Sequence, residues 1–106
     1  MVDTNGGKLP YALEEALARV GAMQGLTKAE AARLQEIVAG LTYKEMAAQH
    51  YLSPNTVKTQ VAAVLHKLGV RSRREIENAV NASVRRWERV ATEEELYRFL
   101  LARLDL

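Results

Sequence analysis

The chain has 106 residues, 48% of them apolar and 26% charged, with 15 Lys and Arg against 13 Asp and Glu. That length and balance fit one small globular domain with a flanking helix or two, and exclude an unstructured polyampholyte. Without cysteine there is no disulfide framework and no thiolate chemistry.

The first eight residues, Met1 to Lys8, lack the apolar run of a signal peptide and read as a frayed tail. No apolar stretch approaches the roughly 20 residues of a membrane span. An intracellular, cytoplasmic protein with no membrane association is the expectation.

Helix signals are dense along the chain, and no segment alternates apolar and polar residues as a half-buried strand does. A first helix is expected at about 10–24, entered through Leu9-Pro10, with Leu13, Ala16, Leu17 and Val20 on one stripe. Thr27/Glu30, Thr42/Glu45, Ser72/Glu75 and Thr92/Glu95 have the capping-box form. In it a hydroxyl accepts from an amide three residues on, and the carboxylate returns to the cap. Ser53-Pro54 is a further start, with a cap hydroxyl ahead of proline. Gly25-Leu26, Gly40-Leu41 and Gly69-Val70 read as helix stops. The spacing predicts helices at 28–39, 43–50, 54–68, 73–89 and 93–104, so the fold class is all-α.

The short helix 43–50 and the longer helix 54–68 are separated by too few residues to lie as an antiparallel hairpin. They should cross steeply, as in a helix-turn-helix. Val57, Val61, Val64, Leu65 and Leu68 form the buried stripe of the longer helix. Asn55, Lys58, Thr59, Ala62, Ala63 and His66 lie off that stripe. Small residues with polar reach near the N-terminal end suit a DNA major groove.

Charge placement agrees. Between Pro54 and Arg74 stand Lys58, Lys67, Arg71, Arg73 and Arg74 with no acid among them. A one-sided basic window in a balanced chain is the footprint of a phosphate-binding surface.

Leu26-Thr27…Glu30, Ile37 to Ala47, Leu52 to Thr59 and His66 to Arg73, taken in order, resemble the LuxR/GerE helix-turn-helix family over about half the chain. The resemblance implies a four-helix DNA-binding domain that regulates transcription, usually as a dimer on a two-fold or direct-repeat operator. It places Lys58, Thr59 and Ala62, with Asn55 on the same face, toward bases. It places Thr56, Lys44, Arg71 and Arg73 toward phosphate, and His66 is a further phosphate candidate. This chain departs from the family's usual pattern at His50, where Leu is common, and at Tyr51, where Gly or Asn is common. At Gln60 the family often has histidine.

The expected organisation is a tail and N-terminal helix (1–25), the helix-turn-helix domain (26–78) and a C-terminal helical extension (79–106). Val84, Trp87, Leu96, Phe99 and Leu100, on the amphipathic faces of that extension, are candidates for a homodimer interface. The alternative is that these strips only extend the monomer core. The length leaves no room for a fused receiver or ligand-binding domain. A stand-alone regulator follows, controlled by abundance or by a partner such as a regulatory protein or RNA polymerase. Other readings are a domain like region 4 of sigma factors, or a helical adaptor that binds protein rather than DNA.

No glycine-rich phosphate loop, nucleophile elbow or H-E-x-x-H motif is present, so neither enzymatic chemistry nor a cofactor is expected. His50 and His66 have no metal-ligand spacing. His50 is expected to cap the short helix at its turn.

Overall fold

The computed structural model describes residues 11–86 and 92–106. They form α1 (Tyr11–Met23), α2 (Lys28–Ala39), α3 (Tyr43–His50), α4 (Pro54–Leu68), α5 (Arg73–Arg86) and α6 (Glu93–Arg103). The described residues contain no strand, and the all-α class stands. The Leu9-Pro10 start and the expected end of the fifth helix at 87–89 lie outside the described residues.

Helix starts follow hydroxyl chemistry. Thr27, Thr42 and Thr92 each accept from the amide three residues on, while Glu30, Glu45 and Glu95 return to the cap amide. Ser53 caps α4 by accepting from the Thr56 amide, and Pro54 opens the helix without a free N–H to satisfy.

The expected box at Ser72 does not form. The Glu75 carboxylate instead accepts from the Arg71 amide at 2.7 Å, while the Glu75 amide bonds the Ser72 carbonyl at 3.2 Å. That three-residue first turn is tighter than an α-turn, so the carboxylate reaches one residue further back.

Five helix ends share one pattern, the last of them after α6, where Asp105 is left-handed at φ +58° and the Leu106 amide reaches the Leu101 carbonyl. At Gly25, Gly40, Gly69 and Tyr51 the backbone turns left-handed, and the next residue's amide reaches back five positions. Glycine takes this conformation without a Cβ clash at Gly40 and Gly69, where φ is +88° and +71°.

Tyr51 takes it with a side chain, at φ +55°, and that side chain is 96% exposed. The left-handed conformation costs a side-chain-bearing residue about 1–2 kcal/mol, and glycine returns roughly half of that through a freer unfolded chain. Tyr51→Gly is therefore expected to raise stability by about 0.5–1 kcal/mol, read as a higher urea midpoint at unchanged slope. A lower midpoint would show that the phenol ring contributes packing the fold depends on.

One continuous core runs through all six helices. It takes Leu13, Leu17 and Val20 from α1, Leu34 and Ile37 from α2, and Met46 from α3. Val57, Val61, Val64 and Leu68 come from α4, Ile76 and Val80 from α5, and Leu96 and Leu100 from α6. The four α4 residues are the expected stripe, with Leu65 half-buried at its margin. α2 packs on α4 and α3 on α4, while α5 rests on α2 and α6.

The most extensive helix pairing joins α1 to α6. Arg19 stacks over the Tyr97 ring at 4.0 Å and binds Glu93 and Glu94 at 3.3 and 2.8 Å. The α6 strip thus faces inward: Leu96 is 5% exposed and Leu100 0%. α1 covers the face of α6 that carries them. Val84 and Phe99 are half-buried, and Trp87 lies outside the described residues.

Candidate nucleic-acid interface

α3, the turn at Tyr51–Ser53 and α4 form the helix-turn-helix unit, seated on α2 through the valine stripe of α4. Because that stripe returns every third or fourth residue, the opposite face is left to solvent. Asn55, Lys58, Thr59 and Ala62 are all exposed there, as are Thr56 and His66.

Two of these side chains are held by local bonds. The Thr59 hydroxyl donates to the Asn55 carbonyl at 3.0 Å, which restrains its rotamer. Thr56 Oγ1 lies 2.9 Å from Ser53 Oγ at the positive end of the helix dipole. Lys44 is exposed in the first turn of α3, and Arg71 is exposed just beyond the end of α4.

The basic window divides into two groups. Lys67 donates to Glu30 at 2.7 Å and to the Gly25 carbonyl at 3.2 Å. Arg73 donates to the Leu41 and Ile37 carbonyls at 2.9 and 3.4 Å and to Glu77 at 3.2 Å, beneath the Tyr43 ring. It neutralises the negative C-terminal end of α2. The Arg73 guanidinium, expected at phosphate, is half-buried and bonded to the protein's own carbonyls.

By contrast, no described acid pairs with the side chains of Lys44, Lys58, Arg71 or Arg74. Within the window the paired cations, Lys67 and Arg73, are half-buried, and the unpaired ones are exposed.

The carboxylates reinforce this division. Hydrogen bonds from Lys67, then from the Thr27 amide, hold Glu30 below the usual carboxylate range. The Thr42 amide does the same for Glu45, and Arg19 with Arg98 for Glu94. These acids stay ionised while bound within the fold. α4 itself carries no acid, so nothing on its exposed face offsets Lys58.

His50 is the last residue of α3 but does not cap its turn. Its Nε2 instead meets a Glu36 carboxylate oxygen on α2. Glu36 also accepts from the buried Arg33, which in turn donates to Gln60 of α4 at 2.8 Å. Sequence reasoning missed this group. Its one signal was an arginine within the apolar period of α2, beside Leu34 and Ile37. Among the described residues no cluster of three potential ligands could hold a metal ion.

A short helix, a tight turn and a longer helix with a buried valine stripe and a basic outer face define a helix-turn-helix DNA-binding module. The GerE model, which describes bacterial regulatory proteins of the luxR family, matches residues 24–79. That match spans more than half the chain, which belongs to this family. α1 lies before the matched region and α6 beyond it. No curated protein and no solved structure matches the chain. No described helix is long and apolar enough to cross a membrane.

Proposed function

We propose that the protein is a sequence-specific, double-stranded-DNA-binding transcriptional regulator that seats α4 in the major groove as a homodimer. The observation that carries this reading is the exposed, acid-free face of α4. Among the described residues Lys58 has no acid partner there, and the side chains of Lys44 and Arg71, at the two ends of the unit, have none either. Asn55, Lys58, Thr59 and Ala62 face base edges. Lys44, Thr56, His66 and Arg71 face the sugar–phosphate strands, with Arg74 as an added cation. A regulator of this kind works where the chromosome is, in the cytoplasm.

Selection of bound sites from random duplexes tests the reading directly, since it returns base preference, half-site spacing and symmetry together. Arg71→Ala is expected to weaken binding to every duplex alike and to reduce the salt slope by about one unit. Binding that ignores salt would instead favour a protein-binding adaptor.

Dimerisation follows from the modest surface one module can bury on DNA, about 600–1,000 Å². With Leu96 and Leu100 inside the monomer, the remaining anchor candidates are Val84, Phe99 and Trp87. Sedimentation at micromolar concentration is expected to show a dimer on operator duplex. A single copy per full site would overturn that part of the proposal.

A further inference from the structure

Arg33 is 2% exposed, yet it occupies an apolar register position on α2. A buried ion pair is a weak device for stability, because well-packed apolar residues of similar volume usually serve as well or better. What the guanidinium adds is direction, since its planar fork fixes where each N–H points.

Here Nε donates to Glu36 Oε1 at 2.7 Å and Nη1 to Gln60 Oε1 at 2.8 Å, while the second Glu36 oxygen meets His50 at the end of α3. One polar relay therefore joins α2, the end of α3 and the middle of α4. Gln60 follows Thr59 directly and stands two residues from both Lys58 and Ala62, so its bond reports the roll of α4 about its own axis. The apolar stripe beneath, Val57, Val61 and Val64, offers contacts with little directional preference. Such a surface decides which face of α4 is buried but sets its roll only coarsely, leaving the fine adjustment to directional bonds.

We infer that Arg33 and Gln60 are positioning residues: through the Gln60–Arg33–Glu36–His50 relay they set the fine roll of α4, and with it which base edges Lys58 and Thr59 reach. This rests on the DNA-binding reading above. It assigns discrimination between sequences partly to side chains that touch no base.

The test compares Arg33→Met, Gln60→Met and the double variant with the wild type, using selected and random duplexes. Gln60→Met leaves the buried Arg33 short of one acceptor, and Arg33→Met leaves the half-buried Gln60 and Glu36 without their donor. Each single change is therefore expected to lower the melting temperature. The double change leaves only Glu36, still met by His50, and recovers part of the loss. If the relay only stabilises the fold, operator discrimination returns with the melting temperature, and the proposal is overturned.

If it positions α4, the double variant still discriminates about tenfold less well, the loss that accompanies a misplaced base contact. Random-duplex affinity and salt slope then stay at wild-type values. Residual dipolar couplings of the free protein give a readout independent of DNA. They are expected to show α4 rotated against α2 in the double variant, and unchanged couplings would overturn the inference. A wild type with no preference among duplexes would overturn the DNA-binding reading and this proposal together, a result distinct from the other two.

Discussion

Leu100→Ala should destabilise the monomer by about 2–5 kcal/mol, the range for deleting a large buried aliphatic side chain that leaves a cavity. Leu100 is fully buried in the cluster where α6 meets α1. On a domain of this size the melting midpoint should drop by about 10 °C or more. The fall should be the same at low and high protein concentration, because the contact is internal. A loss that shrank as concentration rose would place Leu100 between two copies and return α6 to the list of interface elements. Below the transition, duplex affinity should stay close to wild type, since α6 contributes nothing to the α4 face.

Lys58→Ala is expected to have the largest effect on recognition. Lys58 is exposed and has no acid partner among the described residues, so its removal should leave stability within about 0.5 kcal/mol. A good base contact is worth about 1–3 kcal/mol of discrimination. The ratio of selected-duplex to random-duplex affinity should fall accordingly, with only a small change on the random duplex. Equal weakening on both would put Lys58 on a phosphate and mean that α4 enters the groove at a different roll. Arg71→Ala is the contrasting case, and the pair of variants separates reading from holding.

The helices were legible because their ends are written in local chemistry. Thr27, Thr42, Thr92 and Ser53 act within three residues of themselves, and Gly40 and Gly69 act through their own φ. Ser72 has the same local pattern and failed, because a competing amide at Arg71 lay within reach of Glu75. The face of α4 was legible for the same reason as its stripe: both follow from helical periodicity.

Charge partners were not legible. Lys67 finds Glu30 and Arg73 finds the end of α2 across more than thirty residues of chain, so a basic window in sequence did not show which cations the fold would consume. The strip on α6 had a similar ambiguity. Leu96 and Leu100 announce a buried face, but nothing in their spacing says whether α1 or another molecule covers it. Arg33 was hidden because its role depends on Gln60, twenty-seven positions away.

The clasp of Lys67 on Glu30 and the Gly25 carbonyl ties the last turn of α4 to the start of α2. On the proposed reading, α4 would therefore meet a duplex already ordered from end to end. Association then carries little entropic penalty for backbone freezing, and the accompanying heat-capacity change should scale with the apolar area docked, without the excess that marks coupled folding.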